Sequence, residues 1–209
     1  MGLTSHMFMY IMARQLVRSG EMNIFYLDTD PQKCAQYMVD KHVVKMILET
    51  AQLLSTAHRV LDGTEVIEQK WVNGSLPARY RKVRRWKLSD EREDILYQAT
   101  HMNHPSAVWC RENHQNYTWL FEHFLSLIAE YGFRYGKDHK CIDVVDALFN
   151  PPKNIKKKAF TPVTPAMAPE YLVSKDSIEN YRNYYKQGKT HLHKWTKRNP
   201  PDWLNTQVA

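Results

Sequence analysis

The stretch Asp40–Leu61, DKHVVKMILETAQLLSTAHRVL, constrains the fold more than any other part of the chain. Wound as an α-helix at about 100° per residue, it gathers His42, Lys45, Glu49, Gln52, Thr56 and Arg59 onto one strip roughly 100° wide, and most of the remaining circumference is apolar. A surface helix normally buries a stripe and exposes the rest; this one is patterned the other way round. It needs protein on most of its sides, which calls for a mainly α fold with other helices packed around it. The polar line that remains is either the solvent-facing edge of a core helix or one wall of a site.

With 209 residues, 43% of them hydrophobic, the chain suits a single compact helical domain with a real core. A net charge of +7 and a pI near 9.2 point to an anionic partner, nucleic acid first. Cys34, Cys110 and Cys141 are odd in number and lie in apolar or helical patterns, so reduced core thiols in a cytoplasmic protein are expected, and no CxxC pair suggests zinc. The apolar run Met7–Met12 is too short to span a membrane, and no cleavage site follows it. Arg18-Ser19-Gly20-Glu21-Met22 is what a purine-rich ribosome-binding sequence gives when translated in frame. The functional start is therefore expected at Met22, with residues 1–21 a leader or read-through extension and 22–203 the domain.

Punctuation along the chain supports helices. Asn23–Leu27 reads as a short strand or extended lead-in, and Asp28-Thr29-Asp30-Pro31 caps a helix from about Pro31 that either runs into the inverted helix or bends near Asp40. Asp62-Gly63 stops the inverted helix. Residues 64–88 read as a long basic irregular connection or a pair of short strands. Ser89-Asp90-Glu91 predicts a short helix through Ala99, His104-Pro105-Ser106 opens another, and 113–135 is amphipathic with aromatics at helical spacing. A short helix over 141–149, a second irregular segment over 150–173 and a last helix over 174–185 complete the pattern. No βαβ alternation or internal repeat is present.

Three constellations could carry chemistry. Residues 79–87 hold six cations, Arg79, Arg81, Lys82, Arg84, Arg85 and Lys87, interleaved with Tyr80 and Trp86. Cations neutralise phosphates and aromatic faces stack on bases, so this run predicts nucleic-acid contact; the alternative is a solvated loop whose tryptophan covers the core. On the inverted helix, Glu49 lies one turn from Lys45 and two from His42, a row in which a carboxylate stabilises developing positive charge while His42 and Lys45 exchange protons or meet phosphate. A plain i,i+4 ion pair explains the same spacing. In the third set, His104 is expected to cap a helix while Arg111 and Asn116 reach a phosphate or the Glu49 row. The i,i+3 pair His101 and His104 lacks companions for a metal, and neither a metal nor a cofactor is called for.

The runs Met22–Asp28 (MNIFYLD), Asp40–Met46 (DKHVVKM), His104–Trp109 (HPSAVW) and Asn116–Leu120 (NYTWL) resemble a group of small bacteriophage proteins, themselves similar to the endonuclease V type of pyrimidine-dimer DNA glycosylase. The phage-protein resemblance covers about residues 22–203. The glycosylase resemblance implies a compact all-α protein, located in the host-cell cytoplasm if phage-encoded, that uses its N-terminal α-amine as nucleophile on the sugar of a damaged nucleotide and relies on a helix-borne glutamate. It implies the amine of Met22 as nucleophile, with Glu49 as a functional analogue by placement. The Thr-Arg and Arg-Glu pairs of that family are replaced at the matching positions by Asn23-Ile24 and Lys41-His42.

The leading expectation is thus a DNA-processing enzyme acting on a base or sugar, a lesion glycosylase with lyase activity, with DNA as partner and no membrane. Two alternatives remain at this stage: a transferase that modifies DNA pyrimidines, and a non-catalytic nucleic-acid or host-protein binder.

Overall fold

A computed structural model describes residues 22–71 and 80–205. The element order is α1 (Pro31–Tyr37), α2 (Asp40–Asp62), β1 (Thr64–Trp71), β2 (Tyr80–Lys87), α3 (Arg92–Ile95), α4 (Pro105–Glu112), α5 (His114–Tyr135), α6 (Val145–Phe149) and α7 (Ser177–Gly188), with short 3-10 turns between them. The protein is mainly α, as the inverted helix requires.

The long helices α2 and α5 pack on each other, α1 lies against α5, and α4 fills the angle between α2 and α5. Most of the apolar circumference of α2 is buried, with Val43, Met46, Ile47, Ala51, Leu53, Leu54 and Ala57 inaccessible, while Val44 and Leu48 stay exposed. The aromatics of α5 meet it, with Tyr117, Leu120, Phe124 and Leu127 also inaccessible.

Local chemistry sets the boundaries. Asp30 caps α1 by accepting from the amides of Gln32 and Lys33 at 2.8 and 2.9 Å, with Pro31 at the first helical position. The helix does not run on into α2. Met38 and Val39 are extended, and the break is held by Arg134 of α5, which donates to the carbonyls of Gln36 and Met38 and to Asp40. Gly63 ends α2, and a Cβ there would collide with the carbonyl of Arg59. Gly136, at φ 66°, supplies the left-handed cap of α5.

Of the two readings of 64–88, the pair of short strands holds for the described residues: β1 and β2 are antiparallel, in register from Thr64 opposite Lys87 to Trp71 opposite Tyr80. One expectation needs correction. The helix expected from Ser89 through Ala99 is one turn only, because the chain turns extended at Leu96 and its carbonyls pair with Arg59 instead of continuing a helix. Segment 150–173 is irregular apart from the turn at Pro169–Tyr171. The three cysteines are free and buried. Among the described residues no helix is long and apolar enough to cross a membrane.

Candidate active site and nucleic-acid interface

The N-terminal segment is threaded through the interior instead of lying on it. All six residues from Met22 to Leu27 are buried. Three elements hold the segment: Asn23 Nδ2 donates to the carbonyl of Ala166 at 2.8 Å, Trp119 Nε1 to that of Thr29 at 2.7 Å, and Arg182 Nε to that of Leu27 at 2.9 Å. Asn23 Oδ1 accepts from the amides of Ile24 and Phe25, and Phe25 occupies the left-handed region at φ 55°, rare for an aromatic residue. This turn lays the Phe25 ring flat on the imidazole of His42, with centroids 4.1 Å apart.

The same turn brings the chain onto Glu49. The backbone N–H of Asn23 donates to Glu49 Oε2 at 3.2 Å, and Glu49 Oε1 lies 3.0 Å from Lys45 Nζ. The carboxylate is mostly enclosed, with 12% of its side chain accessible, whereas Lys45 is 51% accessible. Glu49 and Lys45 therefore share a rim whose floor is the buried segment Met22–Leu27. Met22 is buried beside them, one residue before the nitrogen that Glu49 holds.

His42 belongs to the wall behind this rim. Its ring is buried and its Nδ1 lies 2.6 Å from the hydroxyl of Tyr185. Burial, reinforced by the charges of Lys189, Lys45 and His191, holds its pKa at about 3. It is neutral at physiological pH, so the expected proton exchange near neutrality is replaced by a supporting role: it carries Phe25 and, through it, residues 22–27.

The other end of the polar strip also sinks inward. Thr56 exchanges hydrogen bonds with the backbone of Thr100. Arg59 is wholly buried and donates to the carbonyls of Trp86, Glu93, Leu96 and Tyr97 and to the carboxylate of Glu93. It clamps the root of the hairpin to α2. Ten residues separate Glu49 from Arg59, about 15 Å along the helix axis, so the hairpin root lies well away from the Glu49 rim.

The basic run is sorted along the hairpin. Near the root, Trp86 is buried and Arg84 lies over its ring, so this tryptophan covers the core and is not a stacking surface. Arg84 pairs with Glu65, and Arg85 and Lys87 with Glu68. Arg81 and Lys82 are exposed and have no ion pair among the described residues. Arg79 lies outside the described residues.

In the third set, His104 caps α4, its Nδ1 accepting from the amide of Ser106 at 3.2 Å. Asn116 is corrected from a phosphate contact to a structural tie: fully buried, it donates to the carbonyl of Trp109 and to Thr161 Oγ1 and accepts from the amide of Thr161. Arg111 is half-buried, its Nη1 has no hydrogen-bond partner, and desolvation lowers its pKa.

Sequence reasoning missed Asn23, Phe25 and Tyr185. A signal existed for the first, since Asn23 is the one polar residue in the run Met22–Leu27 and a buried amide there must find partners.

A family model described as pyrimidine dimer DNA glycosylase matches residues 22–143, which include α1 to α5 and the hairpin. No curated protein and no solved structure matches the chain.

Proposed function

The chain belongs to the pyrimidine dimer DNA glycosylase family, a DNA-acting, glycosylase-type group, and on that premise we propose that it is a lesion-directed N-glycosylase with abasic lyase activity. The nucleophile is the α-amine of a chain that begins at Met22. An α-amine has an ordinary pKa near 8, so a useful fraction is neutral at physiological pH. It attacks C1′ of the damaged nucleotide as the glycosidic bond breaks; the bonding pair leaves with the base, which takes up a proton. Loss of the amine's protons and opening of the sugar ring give an imine. Proton loss at C2′ then expels the 3′ phosphate and breaks the strand.

One observation carries this reading: Glu49 Oε2 lies 3.2 Å from the Asn23 nitrogen. Consecutive Cα atoms are about 3.8 Å apart, so an amine on Met22 would lie within one residue of that carboxylate. There Glu49 stabilises the oxocarbenium character of the sugar and the iminium that follows, and Lys45 meets the flanking phosphate. Arg81 and Lys82, with Arg84, Arg85 and Arg111 in support, hold the strand farther off.

Borohydride reduction in the presence of ultraviolet-irradiated or abasic duplex tests the assignment. A protein beginning at Met22 is expected to give a covalent DNA adduct on its N-terminal peptide. The form that retains residues 1–21 is expected to give far less. An adduct mapped to a lysine, or none with either substrate, overturns the proposal.

A further inference from the structure

The outer half of the hairpin differs from its root in a way that phosphate contact does not explain. At the root, Glu65, Glu68 and Glu93 offset Arg84, Arg85 and Lys87. Beyond them, residues 69–71 and 80–82 contain Lys70, Arg81 and Lys82 and no acid. Paired residues share a face, so the register sets Trp71 with Tyr80 and Gln69 with Lys82 on one side of the ribbon. The two rings meet edge to face, with centroids 5.0 Å apart and planes at 76°. They remain open, Trp71 at 45% and Tyr80 at 63% accessible, as does Ile67 on the same face at 65%. Eight residues per strand project this face about 25 Å along the ribbon from its root.

We infer that this face is a stacking platform for an unstacked DNA base, with Lys82 on the adjoining phosphate; the inference rests on DNA being the substrate. An edge-to-face pair leaves ring surface uncovered, and every base has a matching π-face. A two-stranded ribbon also fits the major groove of a paired duplex, but base edges there are read by hydrogen-bonding side chains, which an Ile, Trp and Tyr face largely lacks. A second copy of the chain is disfavoured because self-docking would bring together two sets of Lys70, Arg81 and Lys82. An enzyme that opens the helix around a lesion generates the unpaired bases this platform takes.

The test uses the full chain with Glu49→Gln, so that DNA is not consumed. Fluorescence anisotropy compares a paired duplex with one of equal length carrying an internal bubble of unpaired thymines. Preference for the bubble is expected, and it falls on the order of tenfold in W71A and in Y80A. Y80F restores it, whereas K82A weakens both DNAs alike. Because the aromatic positions are exposed, circular dichroism should show the fold unchanged. Absence of bubble preference, a preference indifferent to W71A and Y80A, or self-association in sedimentation that W71A abolishes overturns the inference. Failure of the glycosylase reading is seen separately, as bubble preference intact while the Glu49 protein beginning at Met22 does not turn over damaged DNA.

Discussion

Replacing Glu49 by Gln separates the chemistry of the carboxylate from its place in the fold. The amide has the same shape, and its oxygen still accepts from the Asn23 N–H, so that bond survives with an amide in place of a charge. The Lys45 pair is lost, but Lys45 is 51% accessible and such exposed pairs contribute about 0–1 kcal/mol. For a domain of this size that shifts Tm by about 2–4 °C at most. Catalysis should respond on a different scale. A mostly enclosed charge held beside the reacting sugar is comparable to one preorganised electrostatic group, whose removal costs about 10²–10³ in rate, or about 2.7–4 kcal/mol. Single-turnover cleavage of ultraviolet-irradiated duplex, with the borohydride adduct quantified in parallel, measures this beside a thermal melt. Lys45→Met should slow the reaction much less, since its charge is shared with solvent. A Glu49→Gln rate within threefold of wild type at unchanged Tm refutes the catalytic assignment. So does a rate loss accompanied by a Tm drop well beyond the few degrees expected, which would make Glu49 a structural acceptor for Asn23.

Three further outcomes test the supporting structure. Arg59→Met leaves four carbonyls inside the protein without their donor and takes from Glu93 one of its partners, and should destabilise the fold by about 3–5 kcal/mol, read from urea unfolding. His42, held at about 3, and His58 and His123, at about 4, stay neutral in the fold but take up protons near pH 6.5 once unfolded, so stability is full above that pH and declines as it falls toward 4. Each histidine contributes a slope of about 1.4 kcal/mol per pH unit there. Urea midpoints that stay flat from pH 7 to 4.5 would contradict these environments. Burial raises the thiol pKa values of Cys34 and Cys110, so both should resist a disulfide exchange reagent until the protein unfolds, and rapid native labelling would contradict that burial.

Helix starts and stops were readable because their chemistry is local. Asp30 with Pro31, and the stop at Gly63, act within a few residues of where they stand. The break between α1 and α2 was not, because it is made by Arg134, whose bond to the Met38 carbonyl spans 96 residues. Periodicity placed His42, Glu49 and Arg59 on one strip, but it carries no information about what covers each end. The N-terminal segment and Tyr185 bury His42, and the return of the chain through residues 86–97 buries Arg59. Asn116 misled for a similar reason: an amide near a helix start reads as available, and only the approach of Thr161 shows it to be spoken for.

The site that results is organised by a single rigid element. The middle of α2 carries the rim where the buried segment Met22–Leu27 meets a carboxylate, and its C-terminal end grips the hairpin through a buried guanidinium. The distance between Glu49 and Arg59, about 15 Å, corresponds to about four nucleotide steps at 3.4 Å each. On the proposed reading, a strand reacting at Glu49 would meet the hairpin root several nucleotides away. Since Arg59 bonds the β2 end of the hairpin at Trp86 and the adjoining 93–97 turn, the hairpin root is tied to the core. Such preorganisation removes the ordering cost that a flexible arm would bear on binding.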